Sequence, residues 1–376
     1  MAIKALISGT LLFLSSVITT AAFAAADYKT DGFSFVSDGN VLDGIISRPV
    51  AGDAASILIL VHSYGPTNVV AGDRHKDIRS RFAAKGISVV VWDKPGCGNS
   101  EGAFDINQPI ESSAIEIVEA VAALKASGEP GSEQIGLIGF SRGGWIAPVA
   151  ISKRPDISFW ISVSGTDTFE NWGYLLRSNM ALEGYSPSDV NIVYNEWING
   201  NLIFNEGGSY QQYVSATKNF RRNAFVQKIT GQTYVEHTPG TPEYATAREE
   251  YVAAQLDHRS KGISYDDETG LPIVVRDFDK VLSAISGPVL AIFGDNDKHV
   301  NWRTTKALYE RTLGARTPSN LTVKVFEGAD HSLRMGKTGG FFEPHSREYW
   351  DIPYADGYYE TMIEFVCANS FCAPSR

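Results

Sequence analysis

The sequence predicts an α/β protein, a mostly parallel, doubly wound sheet interrupted once by a helical cap. Short β-rich runs recur with helix-like stretches between them, the alternation that builds such sheets. Most of these runs are apolar on both faces, as strands covered by helices on either side must be. From residue 166 to about 285 the alternation stops, and a stretch that long rarely lacks structure of its own. The expected organisation is therefore a core over 27–165 and 286–376, with a cap over 166–285.

The leader comes first. Lys4 supplies a short positive region, residues 5–20 are mostly apolar, and Ala22-Phe23-Ala24 and Ala24-Ala25-Ala26 fit the small-x-small pattern of a cleavage site. A signal peptide over 1–26 is expected, with a secreted or periplasmic product. The alternative is an N-terminal anchor, because the apolar run approaches the lower limit for spanning a bilayer. No later segment is apolar enough to span, so no integral span is expected after processing. Cys367 and Cys372 lie close enough in sequence to pair after export, and Cys97 reads as an unpaired thiol.

A hairpin over 33–36 and 41–47, turning at Asp38-Gly39-Asn40, would open the sheet. Strands are expected over 56–62, 87–93, 134–140, 157–163, 288–293 and 321–326. The clearest helix is 109–126, where Ile110, Ala114, Ile117, Val121 and Leu124 form one stripe and Glu111, Glu116 and Glu119 lie elsewhere. Within the cap, 169–182, 188–198, 210–229 and 242–258 read as helices rich in aromatics. Trp172, Tyr174, Tyr185, Tyr194, Trp197, Phe204 and Tyr213 suit either an acyl pocket or the packing of a small helical core. A last helix is expected from about 354 to 367. With 43 acidic against 33 basic residues the formal charge is −10, which opposes binding to nucleic acid or anionic membranes.

Chemistry concentrates in four places. Gly139-Phe140-Ser141-Arg142-Gly143 matches G-x-S-x-G, the elbow that exposes a serine on a tight strand-to-helix turn. A chance copy is expected in about one chain in four at this glycine content, and Gly98-Asn99-Ser100-Glu101-Gly102 is a second one. Only the first stands directly between a strand and a helix-like run, which selects Ser141. A serine needs a base, and the base a carboxylate; with such an elbow the acid and then the histidine follow downstream. Of the five later histidines, His331 alone sits just past a strand end outside the cap, in Gly328-Ala329-Asp330-His331-Ser332. Asp295 and Asp297, past the strand 288–293, both suit the acid; Asp330 ranks third, because neighbours on a tight turn point apart. Arg142 would supply one amide to the oxyanion. Tyr64 of His62-Ser63-Tyr64-Gly65 would supply the second, with Ser63 the alternative. His62 itself reads as structural.

These stretches, together with Asp93-Lys94-Pro95-Gly96-Cys97-Gly98-Asn99-Ser100, resemble the α/β-hydrolase superfamily, and within it the esterase, thioesterase and prolyl-oligopeptidase-like groups, over about 33–165 and 287–368. The resemblance implies an α/β-hydrolase fold, a serine hydrolase using no metal or organic cofactor, and Asp297 as the acid. It also implies a structural role for the 93–100 loop. Two departures stand out: His-Ser-Tyr-Gly replaces the usual His-Gly, and Asn301 replaces a frequent Pro. The expected substrate is a small acyl compound, an ester or thioester cleaved through an acyl-enzyme on Ser141. The alternatives are an oligopeptidase-like peptidase, whose cap would hold an amino terminus through Glu170, Glu183 or Glu196, and a silent binding protein.

Overall fold

The computed structural model describes residues 28–169, 171–260, 264–315 and 319–374; the leader expected over 1–26 and Glu170 lie outside the described residues. The chain opens with the hairpin β1 (Tyr28–Ser37) and β2 (Asn40–Pro49). Asp38 and Gly39, at φ 47° and 76°, make the two-residue turn that demands positive φ at both positions. There follow β3 (Ser56–Val61), α1 (Lys76–Ala83), β4 (Ile87–Trp92), α2 (Ile110–Ala126), β5 (Ile135–Phe140), α3 (Gly143–Lys153) and β6 (Phe159–Val163). The sheet resumes with α10 (Phe278–Ala284), β7 (Val289–Gly294), α11 (Trp302–Thr312), β8 (Leu321–Phe326) and α12 (Tyr358–Ala368).

Strand order is β1-β2-β4-β3-β5-β6-β7-β8, with β1, β2 and β4 joined antiparallel and the rest parallel. All six residues of β3, β4 and β7 are buried, because alternate side chains feed separate layers. Ile57, Ile59 and Val61 belong to one core cluster with Ile117 of α2, Ile146 of α3 and Leu308 of α11. Leu58 and Leu60 pack with Phe82 of α1 and Met362 of α12. This is the α/β-hydrolase architecture. β8, at the edge, alternates in burial instead. All five residues of the expected α2 stripe are buried, but so is Glu116, whose carboxylate accepts bonds from Trp92 Nε1 (3.1 Å) and Gln108 Nε2 (2.6 Å).

Between β6 and α10 lie α4 (Trp172–Leu182), α5 (Pro187–Glu206), α6 (Tyr210–Ala216), α7 (Lys218–Arg222), α8 (Ala224–Thr230) and α9 (Pro242–Ser260). The single helix read over 210–229 is three short ones. Its break at Asn223 is a capping event: the Asn223 side chain accepts from the amides of Phe225 and Val226, which starts α8 afresh. Leu176, Met180, Val190, Val193, Phe225 and Val226 form the core of this layer, with Trp172, Tyr185 and Trp197 packed against it. Most of the aromatics singled out in the sequence therefore pack on aromatic rings of the same layer, as Trp172 does on Trp197 and Tyr213 on Tyr251. α10, although inside the 166–285 span, buries Phe278 and Leu282 in the sheet's own core.

Cys367 and Cys372 are bonded at the end of α12. The bridge holds Phe371 stacked on Phe159, with its carbonyl accepting from Ser56 Oγ (2.7 Å). The closed loop is short, so replacing both cysteines by serine should lower unfolding free energy by only about 2 kcal/mol, read from urea melts. A loss near zero would mean that the tail is held by Phe371 alone.

Candidate active site

The parallel register brings the strands' carboxyl ends together: Val61 pairs with Gly139, Phe140 with Val163, Val163 with Ile292, and Gly294 with Phe326. The segments that follow β3, β5, β6, β7 and β8 thus emerge along one edge, where open α/β sheets place their ligands.

Ser141 occupies the β5–α3 junction at φ 51°, a left-handed conformation that costs a non-glycine residue of order 1 kcal/mol. Its amide bonds Val163 O (2.9 Å) and its carbonyl accepts from Gly144 N (2.7 Å), which holds the strained turn in place. The flanking glycines are obligatory. A Cβ at Gly139 would lie 2.6 Å from Gly143 O, and one at Gly144 would lie 2.8 Å from Gly165 Cα. Ser100 is a different object: only 8% exposed, it donates to Asp93 O (2.6 Å) and accepts from Asp43 N (2.9 Å), tying the 93–100 loop to β2.

His331 follows β8, and its Nδ1 lies 2.7 Å from Asp297 Oδ2. Asp297 is 1% exposed, and its other oxygen accepts from the amides of His299 (2.7 Å) and Val300 (3.0 Å). Burial alone would push this carboxyl up, but His331 and the Val300 amide outweigh it and hold it below the usual range. Burial likewise disfavours a charged His331, yet the Asp297 carboxylate prevails and leaves the ring more basic than ordinary. Asp295 bonds elsewhere, its Oδ1 accepting from Gly328 N (2.7 Å). Asp330 is spent on the loop itself: Oδ1 accepts from the amides of Ser332 and Arg334, and Oδ2 from the Tyr349 hydroxyl.

Ser164 Oγ, just past β6, donates to the His331 carbonyl (2.8 Å), so the histidine loop is fastened to the strand neighbouring the elbow. Among the described residues the Ser141 hydroxyl forms no hydrogen bond, and the serine-to-histidine link is open in this structure. His299 stacks on His331 at 4.9 Å with the rings 3° apart. Burial, reinforced by His331, holds its imidazole down to about 4, so it stays neutral above pH 5.

Arg142 and Tyr64 also meet: the Arg142 guanidinium lies 5.2 Å over the Tyr64 ring, bonds Gln108 O, and reaches Ser113 Oγ (3.4 Å). Its side chain therefore turns into the protein while its amide starts α3. His62 is held neutral: burial first, then the nearby Lys94, push its pKa to about 3.

Sequence reasoning missed the seam between α4 and the acid loop. Tyr174 Oη donates to Asp297 O (2.8 Å), Ser178 Oγ to Lys298 O (2.8 Å) and Asn179 Nδ2 to Lys298 O (3.0 Å), while Asn179 Oδ1 accepts from Phe341 N (2.7 Å). These partners lie more than a hundred residues apart, so no local pattern announces them. Of the carboxylates read as amine anchors, Glu183 is paired with Lys228 (2.7 Å), and Glu196 accepts from Asn219 Nδ2 (2.6 Å) and Phe220 N (2.8 Å).

Comparison with known proteins follows the same line. The chain resembles in structure an esterase from Pyrococcus furiosus, at 15% identity and a TM-score of 0.50 over 91% of each chain. It also aligns with Est1E from Butyrivibrio proteoclasticus, solved with ferulic acid bound, at 15% identity and a TM-score of 0.46 over 89% of this chain and 99% of that one. A third likeness is to the acylaminoacyl peptidase of Pyrococcus horikoshii, at 12% identity and a TM-score of 0.47, over 93% of this chain and 43% of that one. No curated protein matches the sequence. The sequence model of the S15 peptidases matches residues 38–326. With that match spanning most of a chain whose sheet, elbow and strand order are those of the fold, the protein belongs to the X-Pro dipeptidyl-peptidase (S15) family and is a hydrolase of the serine α/β-hydrolase type.

Proposed function

We propose that the protein hydrolyses carboxylic esters or thioesters of small acyl compounds through an acyl-enzyme on Ser141. The observation that carries this reading is the Asp297 to His331 bond of 2.7 Å at the same sheet edge as a serine held at φ 51°. His331 Nε2 takes the Ser141 proton as Oγ attacks the acyl carbonyl, and the amides of Arg142 and Tyr64 receive the oxyanion. His331 then gives the proton to the leaving alkoxide or thiolate, and water repeats the sequence on the acyl-enzyme. The serine-to-histidine bond closes in the substrate complex, where such bonds tighten.

The family description favours a second reading, a peptidase that releases dipeptides ending in proline. Against it, the two described carboxylates read as anchors for a substrate's amino terminus, Glu183 and Glu196, already have partners; Glu170 lies outside the described residues. A fluorophosphonate probe should label Ser141. Comparing p-nitrophenyl acyl esters with X-Pro p-nitroanilides then decides between the two, and a higher kcat/KM on the anilides would overturn the ester reading. The proposal includes export: the leader ends near Ala24 to Ala26, and the Cys367–Cys372 bridge suits an oxidising compartment.

The general base acts only when neutral, so kcat/KM should fall as pH drops through the His331 pKa. Since Asp297 raises that pKa above the ordinary 6.5, the acid limb should lie above pH 6.5, and Asp297→Asn should move it down. His299, neutral throughout this range, adds nothing to the limb. A wild-type limb centred below pH 6 would refute the assignment.

A further inference from the structure

Lys94, in the loop after β4, is buried, and among the described residues no carboxylate is bonded to it. Its ammonium donates instead to two backbone carbonyls, Ser63 O (2.5 Å) and Gly65 O (2.8 Å), one on each side of Tyr64. Its Nζ also lies 6.0 Å from the centroid of the Phe104 ring. The two loops are joined further by Lys94 N to Thr67 Oγ1 (2.7 Å) and by Val69 N to the Asp93 carboxylate (2.6 Å).

A trans peptide is planar, with its C=O and N–H pointing to opposite sides. Whatever holds the Ser63 carbonyl therefore also decides where the Tyr64 N–H points. We propose that Lys94 is a positioning residue, whose ammonium, by gripping the carbonyls of Ser63 and Gly65, aims the Tyr64 amide at the oxyanion. This rests on the serine-hydrolase reading above and adds to it the device that preorganises one of the two donors. Charge-assisted bonds are about twice as strong as neutral ones, so the grip is firm while Lys94 is protonated and loosens when it is not.

The groups facing Lys94 are Arg142 from the elbow, Glu116 from α2, Cys97 on its own loop and His62 at the end of β3. Burial and the Arg142 charge bring the ammonium down to about 8, against the opposing pull of Cys97 and Glu116. Loosening therefore falls within the working pH range. As pH rises through this value kcat should decline, an alkaline limb separate from the acid limb of His331.

Lys94→Met removes the grip without adding charge. Losing an oxyanion donor outright costs about 10² to 10³ in kcat; misaiming one should cost less, roughly tenfold to a hundredfold, with KM within about threefold of wild type. Fluorophosphonate titration counts competent sites, so that a lower folded fraction is not read as a lower kcat. Lys94→Arg, charged at every accessible pH, should restore part of kcat and remove the alkaline limb. A merely structural lysine would change melting temperature but leave the pH profile of the surviving sites unmoved. An alkaline limb that persists in Lys94→Met, or a wild-type kcat in that variant, would overturn the proposal. If Lys94→Met does not fold, Lys94→Arg decides alone: a lost or upward-shifted limb supports the grip and an unmoved limb refutes it. Wild-type protein that resists the probe would refute the serine-hydrolase reading itself, whereas labelled wild type with an indifferent Lys94 refutes only the grip.

Discussion

Ser141→Ala is expected to remove hydrolysis and probe labelling together, with kcat lower by about six orders of magnitude. No other hydroxyl stands at the elbow, and the acyl-enzyme cannot form without one. The fold should survive, because the turn is held by the Ser141 backbone, through Val163 O and Gly144 N, and not by its side chain. Ser100→Ala is the instructive control. It deletes the acceptor of the Asp43 amide and the donor to Asp93 O, so it should cost about 1–3 kcal/mol of stability while the folded protein keeps near wild-type turnover. Thermal melts beside active-site titration separate the two effects. An inactive but folded Ser100 variant with an active Ser141 variant would sink the assignment.

Asp297→Asn should lower kcat by roughly three to four orders of magnitude with substrate binding nearly intact. The reason lies in the carboxylate's surroundings. Oδ1 is claimed by the amides of His299 and Val300, and an asparagine oxygen can keep both bonds only if its NH2 faces His331. That group donates, so it selects the tautomer with the proton on Nε2, the nitrogen that must accept the proton of Ser141. Asp295→Asn should cost less than about tenfold, because asparagine can still accept from Gly328 N. Both variants must be shown to be folded. Equal losses would mean that the geometry of the turn, and not one carboxylate, is what matters; a larger loss for Asp295→Asn would transfer the role to it.

Sequence alone carried the elements whose code is local. Apolar runs of strand length and a helix-period stripe at 110–124 follow from burial on two faces or one, and they appear as β3 to β8 and α2 to within a residue or two. The elbow was legible because its tight turn needs glycine two residues to either side of the serine, a constraint written within five positions of the chain. What the tertiary structure decided was direction and partnership. Reading the residues left Asp295 and Asp297 open and only the resemblance implied Asp297; in space one faces His331 and the other Gly328 N, a difference of side-chain direction on a turn. Glu116 falls off the apolar stripe in the sequence, and only the fold shows it buried with Trp92 and Gln108 as its partners. The seam of Tyr174, Ser178 and Asn179, and the grip of Lys94 on Ser63 and Gly65, join segments distant in the chain. A hydrogen bond depends on distance and angle between groups, and for groups brought together by sheet order those are properties of the folded chain, with no counterpart in the spacing of letters.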